Sequence, residues 1–114
     1  MEEVKDGFYR ICKLGELTEK IGKKFFINET EIAVFKINGK VYAVNNICPH
    51  KQSAIIYDGF VEDETVTCPS HGWIFDLKTG RMANGSKGLD SYETKVENEI
   101  VYAKVIPKKV NWTF

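Results

Sequence analysis

The sequence holds two His and three Cys, and both His and two of the Cys fall between positions 48 and 71. They form two matched groups, Cys48-Pro49-His50 and Cys68-Pro69-Ser70-His71, the second followed by Gly72. Thiolate and neutral imidazole are both metal ligands, and an odd number of Cys argues against a disulfide framework. Two chemistries take two thiolates and two imidazoles. A structural zinc ion would hold all four in one tetrahedron, although its ligands more often come as Cys-x2-4-Cys and His-x3-5-His pairs than as a tight Cys-x-His. A two-iron, two-sulfide cluster instead puts both thiolates on one iron and both imidazoles on the other, so that each loop grips both irons. A Cys–His nucleophile would use one group and leave the other unexplained. Pro49 and Pro69 stiffen the turn after each Cys and remove a backbone donor, and Gly72 permits close backbone approach.

Such loops must be carried by rigid elements, and the periodic segments of this chain are short and β-like. Residues 31–37, then Asn38-Gly39, then residues 41–44 give the strongest local signal, because Asn-Gly between two β-branched runs is a two-residue hairpin turn. Residues 8–12, 25–27, 65–67 and 73–77 also read as strands, the last ending in the turn Lys78-Thr79-Gly80. Residues 91–96 and 100–105 flank Glu97-Asn98-Glu99 as a second hairpin, and residues 81–89, with Gly85 and Gly88, read as a loop. Only residues 14–21 suggest a short helix, weakened by Gly15. These elements predict an all-β antiparallel sandwich or barrel in which the two Cys-Pro groups sit at neighbouring strand ends.

At 114 residues the chain suits one domain spanning 1–114, with 43% apolar residues to build its core. Lys plus Arg equals Asp plus Glu at 16 each, which leaves no footprint for nucleic acid or an anionic membrane. The charged start and the absence of long apolar runs predict a cytoplasmic protein with no membrane anchor. Cys12, outside both groups, is expected to be a small buried apolar residue, and Lys23-Lys24 and Glu62-Asp63-Glu64 solvated faces. Trp73 and Phe75 are expected in the core, beside the metal site. Trp112 and Phe114 could pack back or anchor a partner.

The run Cys68-Pro69-Ser70-His71-Gly72-Trp73-Ile74-Phe75-Asp76, closing on Thr79-Gly80, resembles the second cluster loop of the Rieske family. Cys48-Pro49-His50 resembles the first loop, and residues 39–44 resemble the hairpin that leads into it. The resemblance implies one [2Fe–2S] cluster per chain, held by Cys48, His50, Cys68 and His71. It also implies a β base domain into which a small cluster-binding subdomain, about residues 46–84, is inserted. Ser53 and Ser70 stand where the respiratory members carry an additional Cys pair, so the likeness is to the soluble, ferredoxin-type members. Two departures bear on the lid over the cluster: Gln52 replaces a usual Gly, and residues 81–92 contain none of the usual Pro.

With both His taken as ligands, none remains for a mononuclear iron triad, and no flavin or nicotinamide fingerprint is present. The chain is therefore expected to be an electron carrier and not an enzyme. By resemblance it would work as a monomer, passing one electron from a flavoprotein reductase to a terminal oxygenase, with electrons leaving on the His50/His71 side. The other reading is the small Rieske subunit of an assimilatory nitrite reductase. In the high-potential respiratory members a Ser and a Tyr hydroxyl bond the cluster sulfurs. The matching positions here are Trp73 and Phe75, which implies a low potential.

Overall fold

The alternation at residues 30–45 builds the centre of the fold. In the computed structural model, which describes residues 3–5, 7–48, 53–69, 72–82 and 88–105, it becomes a long antiparallel hairpin. The strands, in chain order, are β1 (Glu3–Lys5), β2 (Phe8–Lys13), β3 (Lys23–Ile27), β4 (Thr30–Ile37), β5 (Lys40–Asn45), β6 (Ile47–Cys48), β7 (Ser53–Ala54), β8 (Phe60–Glu62), β9 (Thr65–Thr67), β10 (Ile74–Asp76), β11 (Ser91–Glu97) and β12 (Ile100–Lys104). One large antiparallel sheet runs β1-β2-β12-β11-β5-β4-β3 and curls into a nearly closed barrel. Between β5 and β11 in the chain come a two-stranded ribbon, β6-β7, and a three-stranded sheet, β10-β9-β8.

Strands β4 and β5 are packed on both faces. On one face Ile32, Val34, Val41 and Ala43 join Ile11, Val101 and Ala103 in the barrel interior. On the other, Ala33, Phe35, Ile37 and Val44 join Ile56, Val66, Phe75 and Leu77 in a second core beneath the small sheet. Successive side chains of a strand point to opposite faces, so one unbroken apolar run serves both cores. Cys12 lies in the barrel core as expected; the register of β2 against β12 shifts at Val101/Tyr102, so that Ile11 and Cys12 are both buried although adjacent. Burial, with help from the Glu16 carboxylate, pushes the Cys12 thiol up to about 11.

The expected hairpins form, and the turns show how. Asn38 and Gly39 have φ of 52° and 81°, and the second hairpin turns on Asn98 and Glu99 at 52° and 62°, with Glu97 inside β11. A third hairpin, between β3 and β4, turns on Asn28 and Glu29 at 50° and 60°. Sequence patterning missed it because Asn-Glu is not a recognised turn pair, although Asn is the side chain that best tolerates this conformation. The expected helix over 14–21 does not form. A single 3-10 turn, Leu14–Glu16, is followed by extended chain that bonds to the end of β4 (Lys20 N–H to Lys36 O, 2.8 Å), and Leu17 is drawn into the barrel core. Among the described residues no helix is long and apolar enough to cross a membrane.

Glu99 is exposed and held left-handed, a conformation that costs an L-residue about 1–2 kcal/mol, partly offset in glycine by its freer unfolded chain. Glu99→Gly is therefore expected to stabilise the protein by about 0.5–1 kcal/mol in urea unfolding; a loss of stability would show that the side chain makes a contribution the turn geometry does not explain.

Candidate metal centre

Each Cys-Pro group is entered from a strand of the insertion between β5 and β11. Cys48 ends β6, and its backbone pairs with Ser53 of β7 across the first loop. Cys68 directly follows β9 and is buried, in the second core with Val66 and Phe75, and it forms no disulfide. Its N–H donates to the Trp73 carbonyl (2.8 Å) and its carbonyl accepts from the Gly72 N–H (2.9 Å), which ties the two ends of the second loop together. Gly72 sits at φ 73°, a conformation that favours glycine. His50 and His71 lie outside the described residues, as do Pro49, Gln52 and Ser70, and the tail with Trp112 and Phe114. Of the four candidate ligands, the structure thus describes one Cys at the entrance to each loop.

Two polar residues hold these loops to the barrel, a role the sequence did not suggest for either. Asn46, just before β6, is wholly buried and uses every polar atom. Its N–H donates to Glu31 O (3.0 Å) and its Nδ2 to Glu31 Oε1 (2.7 Å); its carbonyl accepts from Ile56 N (3.2 Å) and its Oδ1 from Tyr57 N (2.7 Å). The ends of the first loop are thereby clamped to each other and to β4. Glu64, in the β8–β9 turn, does the same for the second loop's sheet. It accepts from the Tyr42 hydroxyl of β5 (2.5 Å) and pairs with Lys78 (2.8 Å) beyond β10. It departs in this from the solvated face expected of Glu62-Asp63-Glu64. The Lys78 and Tyr42 hydrogen bonds hold the Glu64 carboxyl below its usual range, while the bond to Glu64 pushes the Tyr42 phenol up to about 12.

The aromatic residues beside the second loop are core, as expected. Phe75 is fully buried, and Trp73 is half-buried with its ring centroid 6.5 Å from that of Phe75. The third loop is anchored at both ends: the Leu89 N–H donates to Gly80 O (2.7 Å), and a side chain at Gly88 would collide with that same carbonyl and with the Phe75 ring. Its middle, residues 83–87, where the altered lid was expected, lies outside the described residues.

A nearly closed antiparallel barrel with two Cys-led loops on its β5–β11 insertion is the frame for which comparison with known proteins gives a class. Residues 7–104 match the Rieske-like [2Fe-2S] domain family, and the chain belongs to it. The ferredoxin component of the naphthalene 1,2-dioxygenase/salicylate 5-hydroxylase systems of Ralstonia sp. is 36% identical over 69% of this chain and 77% of its own length. Among solved structures, the ferredoxin of carbazole 1,9a-dioxygenase from Nocardioides aromaticivorans IC177 superposes with a TM-score of 0.78 at 22% identity, covering 86% of this chain and 97% of its own. A Mycobacterium tuberculosis protein described as an NADH-dependent nitrite reductase small subunit superposes at 0.79 with 24% identity, over 87% and 96%. At these identities the two structures show the shared fold.

Asn46→Ala removes the acceptor of the part-buried Tyr57 N–H and the donor to Glu31. It is expected to cost roughly 2–3 kcal/mol in chemical unfolding and to lower bound iron after purification. Full iron content at wild-type stability would show that the clamp does not govern the first loop.

Proposed function

We propose that the chain is a one-electron carrier whose [2Fe–2S] cluster is held by Cys48 and Cys68 on one iron and by His50 and His71 on the other. The supporting observation is the pair of loop entrances: Cys48 at the end of β6 and a buried, disulfide-free Cys68 after β9, on the two small sheets of one insertion. The donor set fits the group, since two thiolates and two imidazoles are what mixed Cys/His ligation takes. When bound, the cluster accepts one electron and releases it again. The chain's own residues do the rest. Asn46 and Glu64 fix the loops to the barrel, and Phe75, Trp73 and Leu89 wall the second loop on its core side. The segment 46–84 acts as the cluster-binding unit and the barrel as its base.

The carrier reading assigns no catalytic residue. A flavoprotein reductase would supply the electron and a terminal oxygenase take it, as the ferredoxin relatives' names suggest. The chain would work as a monomer in the cytoplasm. The nitrite reductase small subunit is the second reading, favoured by the fold match and by likeness to part of a nitrite reductase sequence. Stable association with a sirohaem subunit would support it, whereas salt-sensitive, transient contact with a reductase supports the first.

Replacing Cys48, His50, Cys68 or His71 with Ala is expected to abolish iron binding, because one of the two irons then loses one of its two protein ligands. Cys12→Ser, in the barrel core, should retain full iron and the same visible spectrum. Iron loss in a folded Cys12→Ser variant, or iron retained in a Cys68→Ala variant, would mean the ligands are misassigned.

The reduction potential follows from the side chains at 73 and 75. Reduction adds a negative charge, which a hydroxyl donor to a sulfur would stabilise, and neither Trp73 nor Phe75 offers a hydroxyl. Hydrogen bonds to charged groups are worth roughly 1.5–3 kcal/mol, about 60–130 mV each for one electron. The protein is expected near the low end of the family's span of about −150 to +300 mV. Voltammetry should show Phe75→Tyr shifted upward from wild type; a wild-type midpoint well above zero would contradict the low-potential assignment.

A further inference from the structure

Five large apolar side chains are exposed among the described residues, Ile21, Phe26, Phe60, Ile74 and Val96, and two of them stand in one row. Phe60, on β8, is 75% exposed, and Ile74, on β10, is 42% exposed. Both pair with Thr67 of β9 (Phe60↔Thr67 and Ile74↔Thr67), so the three residues form one row across the outer face of the small sheet. The row behind it, Val61–Val66–Phe75, faces the second core. Burial of that inner face does not require Phe60 or Ile74 to be apolar, and the alternation of an antiparallel strand would ordinarily make them polar. On its far side Phe60 also lines a groove with Ile21, which is 59% exposed, and Tyr57.

The location and the charge of this band say what covers it. The row ends on the second loop, since Thr67 precedes Cys68 and Ile74 follows Trp73, with Pro69 and Gly72 exposed beside it. From Asp58 to Asp76 the chain carries five carboxylates (Asp58, Glu62, Asp63, Glu64 and Asp76) and no Lys or Arg. Glu64 is paired with Lys78, which stands just outside this stretch. Lys20 lines the far wall of the groove, and the Lys24 ammonium stands 5.2 Å over the Tyr57 ring. A second copy of this chain would bring two such acidic stretches together, and an anionic membrane would be repelled.

We propose that the Phe60–Thr67–Ile74 row is the docking face for a redox-partner protein that presents an apolar contact ringed by Lys and Arg. This rests on the carrier reading above and adds to it the face and the chemistry of the partner. Phe60 supplies the apolar anchor, and Asp58, Glu62 and Asp63 steer the encounter and set its orientation. The second loop is thereby brought against the partner.

The test uses the reduced holoprotein in stopped flow. Ferric cytochrome c, a basic haem protein with a lysine-ringed haem edge, stands in for the partner, and ferricyanide is an acceptor too small to need a docking face. The wild-type rate with cytochrome c should fall with added salt. Phe60→Ala and Glu62→Lys, both at exposed positions, should each lower that rate roughly tenfold at low salt, and Phe60→Ala should leave the ferricyanide rate unchanged. Wild-type rates with cytochrome c in both variants would overturn the proposal while leaving the carrier reading intact. So would a wild-type dimer in sedimentation that Phe60→Ala dissociates, since the occupant would then be a second copy. A holoprotein that reduces neither acceptor would overturn the carrier reading and this proposal with it.

Discussion

The whole arrangement depends on one constraint: β4 and β5 must be covered on both faces. Their inner face closes the barrel with Ile32, Val34, Val41 and Ala43. Their outer face, with Phe35 and Val44, stays dry only if the insertion between β5 and β11 folds over it. The second core is therefore also the foundation of the two loops, and Cys68 belongs to it. Burying side chains such as Phe35 and Phe75 contributes on the order of 1.5–3 kcal/mol each. The insertion, whose own sheets have two and three short strands, owes its order to that shared packing.

Apolar packing is directionless, and the loops also need orientation. Asn46 and Glu64 supply it. Asn46 ties the chain on both sides of the first loop to Glu31 of β4, and Glu64 ties the second loop's sheet to Tyr42 of β5. Both clamps thus reach back to the same central hairpin, one from each loop. Gly80 and Gly88 bring the third loop in close enough for its backbone to lie on the Phe75 ring. Every element around the proposed cluster is thereby referred to β4 and β5.

Much of this was legible in the sequence where local chemistry dictates it. Asn38-Gly39 fixes a turn by its own conformational freedom, and residues 65–67 form a strand with the bounds that alternation gives. The two Cys-Pro groups stood out because ligand chemistry demands rare residue types at tight spacing. What stayed hidden depends on distant partners. Residues 14–21 hold a weak helical pattern that pairing with Lys36 overrides. Glu64 looks like one more charge in an acidic run until Tyr42, far away in sequence, is placed beside it. Asn46 gave no local sign of being buried, and Asn28-Glu29 turned the chain without the glycine that marks such a turn.

The central claim is that one thiolate and one imidazole from each loop hold a two-iron cluster. Its most direct test is the electron paramagnetic resonance spectrum of the anaerobically purified, dithionite-reduced protein, together with its metal content. Two irons and two acid-labile sulfides per chain, with the low average g of mixed His/Cys ligation, is the predicted result. Zinc in place of iron, or the higher average g of an all-Cys cluster, would contradict it.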